Sequence, residues 1–417
     1  MSVEGWKTKA LGSVAEIIMG QSPDSRYYSE EEIGLPFLQG CAEFTSKFPS
    51  AVLFCSQVKK IARTGSILFS VRAPVGRTNL TDTDYIIGRG LAALIASQIS
   101  QDYLHHYLVY SESGFRNNSQ GSTFEAINSK ELRDWAISFP EFLQEQTQIA
   151  TILSTIDRAI EQTEALIAKQ QRIKTGLMQD LLTKGIDENG NIRSEETHDF
   201  KDSPLGRIPV EWEVESCSAI CKEIVVGIVI RPAQYYKPSG VPVLRSANVR
   251  ENIIDTSDMV YMSERDNIAL NKSRLSVGDL VTVRTGYPGN TAVITPELDG
   301  SNCVDIVISR PDSRRVRSNY LALWINSNFG KKQILEGQGG LAQQHFNVGE
   351  VRKLLVKVPR INEQIRIEDL LLLQGREVFK LQSQLQKLKL QKTGLMQDLL
   401  TGKVRVTDLL NQKAAVN

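Results

Sequence analysis

A chain of 417 residues that is 41% hydrophobic has enough apolar content for two ordinary cores, since domains usually run to roughly 100–200 residues. No run of about 18 apolar residues occurs, which excludes a membrane-spanning helix. A net charge of +1 excludes a bulk polyanion-binding composition, so any DNA contact must come from local patches.

In chain order, residues 1–143 are predicted as a mixed α/β block. Ser66–Val71 and Leu91–Ile95 are β-rich runs bounded by Gly and Pro turns, Asp102–Tyr110 has helical character, and Ala136–Phe139 before Pro140 reads as the last strand. Residues 144–184 follow as a long helix. A seven-residue repeat puts Ile149, Ile156, Thr163, Gln170 and Leu177 at one seam position and Leu153, Ile160, Ile167, Lys174 and Leu181 at the other. Residues 185–211 read as a polar linker, with an Asp187-Glu188-Asn189-Gly190-Asn191 turn.

Residues 212–360 repeat the first plan, with strands Val241–Leu244, Leu280–Arg284, Thr291–Ile294 and Val304–Ser309 and a helix near Asn319–Asn328. Residues 361–405 repeat the helix, with Ile367, Gln374, Leu381, Leu388 and Leu395 at one seam position. Leu371, Val378, Leu385, Lys392 and Leu399 occupy the other, and residues 406–417 form a tail. Polar seam residues cost stability but fix register. Gly185 and Gly402 are expected to end the helices, with Asn362 capping the second. Gly176 and Gly394 lie inside the helices, where glycine costs about 1 kcal/mol relative to alanine. They imply either a kink or the close approach of another backbone.

The two halves are a duplication. Lys174-Thr175-Gly176-Leu177-Met178-Gln179-Asp180-Leu181-Leu182-Thr183 returns letter for letter at Lys392–Thr401, an offset of 218 residues. At the same offset Glu145-Gln146 matches Glu363-Gln364. Asn128 and Glu131-Leu132-Arg133 match Asn347 and Glu350-Val351-Arg352, and Trp6 answers Trp212. The blocks have diverged and the helix ends have not. Residues 1–143 carry 13 basic and 15 acidic side chains, whereas residues 200–360 carry 21 and 17.

Motifs for chemistry are missing. There is no Asn-Pro-Pro-Tyr/Phe for a flipped base, no Gly-x-Gly-x-x-Gly after a strand and no phosphate loop. Asp199-Phe200-Lys201 has the spacing of a nuclease fragment but falls in the linker. His105 and His106 lie in a predicted helix, His198 in the linker and His345 in a loop, none paired by motif with a nucleophile. Cys217 and Cys221 sit one turn apart, but no second pair completes a zinc site. Five cysteines without Cys-x-x-Cys, and an N-terminus without an apolar signal core, predict a reduced cytoplasmic protein.

What is left is two diverged blocks spaced by two near-identical helices, a pseudo-two-fold repeat that sets the helices antiparallel. A helix of about 39 residues is about 58 Å long, against roughly 34–36 Å between successive major-groove faces of duplex DNA. Two such readers on a spacer would bind a split, asymmetric site. A coiled-coil protein-interaction scaffold without DNA specificity has the same outline.

The Gly-Leu-Met-Gln-Asp-Leu-Leu-Thr-Gly-Lys403-Val404-Arg405-Val406 ending, its internal copy, and Gly206-Arg207-Ile208-Pro209-x-x-Trp212 resemble the specificity subunit of type I restriction-modification enzymes. The first block departs from the pattern by lacking the Gly-x-Ile-Pro lead-in before Trp6. The resemblance implies an α+β, mixed α/β fold of two target recognition domains, each reading half of a bipartite site in double-stranded DNA. It also implies that the helices form an antiparallel coiled coil and dock two methylation subunits, with two restriction subunits completing the complex. On this resemblance the chain is non-catalytic and holds no cofactor. S-adenosylmethionine serves the methylation subunits, for adenine N6 modification, and ATP with Mg serves the restriction subunits.

DNA readers are expected among arginines for guanine and Asn or Gln for adenine, with other Lys and Arg holding phosphates. In the first block the candidates are Lys59, Lys60 and Arg63 for the backbone and Arg72, Arg77 and Arg116 nearer the bases. In the second they are Arg245, Asn248, Arg250, Arg284, Tyr287, Arg314 and Arg315. Arg72 and Arg284 hold matching positions after a Gly-initiated strand. The Gln120-Gly121-Ser122 and Gln338-Gly339-Gly340 turns form a further matched pair, read as tight turns into the last strand.

Overall fold

The computed structural model describes residues 3–119, 126–337 and 346–407. Its chain divides into two compact units, residues 1–165 with 382–417 and residues 166–381. Each unit therefore holds one globular block and part of each long helix.

In the first unit a four-stranded antiparallel sheet runs in the order Ala15–Met19, Leu91–Ala96, Ile67–Ser70, Thr78–Leu80. Ile67–Ser70 is buried along its whole length, so it reads as a continuous apolar run rather than an alternation. A five-stranded sheet beside it contains a parallel pair, Leu35–Leu38 with Tyr85–Ile87, in the register Phe37↔Ile86 and Leu38↔Ile87. Trp6–Ala10 pairs with Ala136–Pro140. The strand therefore starts at Trp6 without the lead-in sequence.

The second unit repeats this plan. Cys221–Val226, Ile306–Pro311, Leu280–Val283 and Thr291–Val293 form the matching sheet. Val241–Leu244 runs parallel to Asn302–Cys303, and Glu213–Ser216 pairs with Leu355–Val358. The identical capping letters do identical work. Asn128 with Glu131, and Asn347 with Glu350, each form a capping box on a short helix, satisfying backbone N–H groups left over at the helix start. Arg133 then donates to the Ile17 carbonyl at 3.0 Å, as Arg352 does to the Ile224 carbonyl at 3.2 Å.

The long helices span Leu143–Thr183 and Ile361–Leu400. In the first unit Ile149 and Leu153, near the start of one, share a core with Leu395, Met396, Leu399 and Leu400, at the end of the other. In the second, Leu177, Leu181 and Leu182 share a core with Ile367 and Leu371. Ends pack with starts, so the helices are antiparallel. All the apolar seam positions are buried or partly buried: Ile156, Ile160, Leu381, Leu385 and Leu388 partly, Ile167 and Val378 fully.

Three of the polar seam residues, Gln170, Gln374 and Lys392, find partners across the seam. Gln374 donates to Gln170 at 2.7 Å, and Lys392 pairs with Asp157 at 2.6 Å. Thr163 turns its hydroxyl back to the Ala159 carbonyl at 2.7 Å. Both helices run unbroken through Gly176 and Gly394, and a Cβ at either position would meet nothing within 4 Å. Neither the break nor the close approach is therefore found among the described residues.

Three expectations change. The helix begins at Ile361, so Asn362 lies within it rather than capping it, and the Arg360 carbonyl accepts from the Glu363 and Gln364 N–H groups. Residues 185–211 are not a free linker. Ile186 and Ile208 are each 1% exposed, and Phe200–Lys201 pairs with Ile208–Pro209, because buried Glu363 collects the Ile186 N–H at 2.9 Å, the Arg193 guanidinium and, at 3.1 Å, the Trp212 indole N–H. The helix near Asn319–Asn328 is two, Ser318–Asn326 and Asn328–Gly337. His345 and the two glycine turns at 120–122 and 338–340 lie outside the described residues.

Candidate nucleic-acid interface

The first block presents its candidate cations on short loops. Lys59, Lys60, Arg72 and Arg77 are exposed. Arg63 is exposed but pairs with Asp84 at 2.6 Å, and this contact, after the Thr64 N–H, holds the Asp84 carboxyl below its usual range. Arg116 pairs with Glu112 one turn earlier on Glu112–Ser119. Exposed pairs of this kind are worth little to stability, so such arginines can exchange partners for phosphate.

The second block differs. Arg250 is exposed, and Tyr287, at 71% exposure, is the most open aromatic of its loop. Arg245 is held by Asp258 at 2.9 Å and by the Asp258 carbonyl at 2.7 Å. Arg284 is paired with Asp305. Arg314 grips Asp312 at 2.7 Å and keeps that carboxyl down at about 2. Arg315 is spent on the Ala219 carbonyl and on Glu215, at 2.6 and 2.5 Å, which ties it to the edge of the fold.

Asn248 is not available to a base. It is 3% exposed, its carbonyl accepts from the Arg245 N–H at 3.0 Å, and its amide donates to the Asp255 and Asp258 carbonyls at 3.0 and 2.9 Å. Expected as a base reader, Asn248 instead ends the short Ser246–Asn248 turn, and burial under its own loop makes it a brace.

One exposed cation escaped the sequence reading. Arg89 sits on a turn between Gly88 and Gly90, both buried, with its own backbone N–H on the Ser22 hydroxyl at 3.2 Å. The glycines on both sides were the available signal. Nearby Gln21 and Gln39 are exposed as well.

The block-to-helix joints are built by the duplicated letters. Gln146 accepts the Ser100 N–H at 2.8 Å and donates to the Pro140 carbonyl at 2.8 Å; Gln364 does the same with Arg317 and Pro359 at the same distances. Glu145 holds Arg405 at 2.6 and 2.7 Å, as Glu363 holds Arg193. These joints fix each block on its helix.

Comparison with known proteins gives this arrangement its context. Residues 3–170 match the type I restriction modification DNA specificity domain. A putative type I restriction enzyme MjaX specificity subunit of Methanocaldococcus jannaschii is 38% identical over 44% of this chain and 44% of its own length. The type I restriction enzyme MjaVIII specificity subunit of the same organism is 26% identical over 74% and 71%. The alignment thus spans less than half of the first of these relatives. Among solved structures, the type I restriction-modification S subunit from M. genitalium shares the fold at a TM-score of 0.61, with 14% identity over 95% of this chain and 96% of that one. The domain match makes residues 3–170 similar to a type I restriction modification DNA specificity domain, and the doubled block-and-helix plan is the fold that the whole chain shares with the solved S subunit.

Proposed function

We propose that this chain reads DNA for a type I restriction-modification complex, each block contacting one word of a split, asymmetric site. The observation that carries this reading is that the two blocks keep the same strand registers while the side chains at matched positions differ, as Gln39 and Val71 do from the acid-held Arg245 and Arg284. Two identical readers would read a palindrome; two diverged ones read two words. Sequence is carried by base-edge contacts, while the remaining cations hold phosphates. Lys59, Lys60, Arg63, Arg77, Arg116, Arg250 and Arg314 suit the second role, since they lie in the open or in exposed ion pairs.

The helices serve as the spacer and as the seat for two methylation subunits, with two restriction subunits recruited to the complex. Leu166, Ile173, Leu373, Phe379 and Leu390 remain 41–70% exposed on the helices, more apolar surface than a solvated helix pair needs. Methylation of adenine N6 with S-adenosylmethionine, and ATP- and Mg-dependent restriction, belong to those partners, in the cytoplasm.

The test is a methylome. The chain is co-expressed with its methylation subunit in a host free of adenine methylation, and N6-methyladenine is mapped by sequencing. A split motif with one methylated adenine in each part is the expected result, and one turn of residues inserted near Thr163 lengthens the gap without altering either word. A palindromic motif refutes two-block reading. Verified assembly with no methylation favours the interaction scaffold.

A further inference from the structure

Among the described residues the two most exposed large apolar side chains are Ile230, at 76%, and Tyr287, at 71%. Both follow strands that end on one edge of the central sheet of the second block. Cys221–Val226 and Leu280–Val283 flank Ile306–Pro311 and both run antiparallel to it, with Val226 opposite Val307 and Val283 opposite Ile306. The two loops therefore leave the sheet at the same end, from strands separated by one neighbour.

Backbone bonds fix both tips. Ile228 N–H donates to the Cys303 carbonyl at 2.9 Å, and the Ile228 carbonyl accepts the Asp305 N–H at 3.1 Å. This anchors the stem that carries Val229, itself 48% exposed, and Ile230. Arg231 closes the tip in the left-handed region, with φ of +45°, directly before Pro232. Such a conformation is costly outside glycine and persists only where the surroundings impose it. In the other loop Gly289 N–H donates to the Val283 carbonyl at 3.0 Å and Asn290 N–H to the Tyr287 carbonyl at 3.2 Å. Tyr287 is left at the turn.

Arginines share this end of the sheet. Asp305, whose N–H meets the Ile228 carbonyl, holds Arg284, the residue after Val283. Val304 N–H donates to the Leu244 carbonyl at 2.9 Å, which brings Arg245, the next residue, to the same end. Arg245 and Arg284 each keep a buried Nε–H without an acceptor among the described residues, and Arg231 adds an exposed cation. Single apolar residues are ordinary on a surface. The two most exposed ones, converging on a sheet end that carries arginines, call for a ligand that offers both negative charge and apolar groups. Duplex DNA does so through its phosphates and the thymine C5-methyl, which stands in the major groove.

The first block is polar at the matched positions. Gln21 N–H donates to the Ile87 carbonyl at 2.9 Å, as Ile228 does to Cys303, so Ser22 takes the place of Val229. The Ser22 hydroxyl donates to the Gln39 side-chain oxygen at 3.0 Å. Gly76 N–H donates to the Ser70 carbonyl at 3.0 Å, as Gly289 does to Val283, so Pro74 takes the place of Tyr287 in a loop of equal length.

We propose that Ile230 and Tyr287 are specificity determinants of the second block, each packing on a thymine methyl group of its word. The first block makes no such contact from these positions. The inference rests on the DNA-reading function proposed above.

The experiment uses the full chain in its complex with the methylation subunit, bound to a duplex carrying the split motif found by the methylome. Each thymine of the motif is replaced singly by deoxyuridine, which removes the methyl group and keeps the base pair. Affinity is expected to fall about fourfold at one or more thymines of the second word, the contribution of one buried methyl group. Ile230→Ser and Tyr287→Ser, both at exposed positions, are each expected to weaken binding to the thymine duplex and to abolish the penalty at one thymine. Losses on protein and DNA then fail to add, as contacting groups do. Unchanged selectivity for the first word shows in the same molecule that each variant is folded and assembled.

A penalty at no thymine of the second word overturns the methyl contact. A penalty that survives at every thymine in one variant overturns that residue's part, and in both variants the whole. Equal losses by the variants on thymine and uracil duplexes make the side chains methyl-blind wedges and overturn it as well. A parent complex that yields no split motif overturns the DNA-reading function first, whereas a split motif with any of these results overturns this inference alone.

Discussion

Glu363 is the point where one substitution should separate the two joints most sharply. It is 4% exposed and accepts from the Ile186 N–H, the Trp212 indole and the Arg193 guanidinium, which is itself 8% exposed. Glu363→Ala strands that cation, and breaking a buried pair typically costs about 3–5 kcal/mol. The orphaned neutral donors add about 1 kcal/mol or more, so a total near 5 kcal/mol is expected in the second unit. Among the described residues the matched Glu145 holds only Arg405, whose side chain is 28% exposed, and the Trp6 indole N–H has no partner there. Glu145→Ala should therefore cost about 1.5–3 kcal/mol, the worth of hydrogen bonds to a charged group.

Urea unfolding of the full chain, followed through the buried Trp212 and by circular dichroism, reads the difference. With a slope near 2 kcal/mol/M, the Glu363→Ala transition should fall by about 2.5 M and the Glu145→Ala transition by about 1 M. Replacing the pair by Glu363→Met with Arg193→Met should recover most of the loss, because no buried charge is then left alone. Equal shifts for the two single variants, or a Glu363→Ala shift under about 0.5 M, would refute the account of the joint.

Burial, and then the neighbouring His106, push His105 down to about 4, and burial lowers His106 too. The unfolded value is about 6.5, so this stabilisation is complete above pH 6.5 and is lost as pH falls towards 4. The loss should reach about 3 kcal/mol for His105. Ala322 and Leu323 hold the matching helix positions of the second unit, so acid titration followed by hydrogen exchange should open the first unit first, and His105→Ala with His106→Leu should abolish that difference. Burial pushes the Lys357 ammonium down to about 8, below its unfolded value, so the charged form costs stability at neutral pH. Lys357→Met should stabilise the second unit by up to about 3 kcal/mol at pH 7, with the gain shrinking above pH 8 as thermal melts are repeated. Leu388→Glu places a charge in the seam and should abolish binding of the methylation subunit in gel filtration while the blocks keep their circular dichroism. Leu395 is the wrong residue for that test, because it packs on the core of the first block.

The duplication and the two helices were legible in the sequence because they rest on local periodicity and on repeated letters. A seven-residue repeat names its seam without reference to anything distant, and a Cβ-free residue at a helix end announces a stop. Matched strand positions were legible to within a residue or two for the same reason. The candidate DNA-contacting residues were another matter. Arg72 and Arg284 look alike in the chain, yet the strand registers set Arg284 against Val71, and Asp305 on the neighbouring strand holds Arg284 in an ion pair while Arg72 is left exposed. Asn248 looked like a reader until its loop closed over it, and residues 185–211 looked like a linker until Glu363, 170 residues beyond Arg193, drew them into the core. Charge pairing and burial are decided by partners remote in sequence, so only the tertiary structure settled which polar side chains are spent inside the fold and which are left exposed.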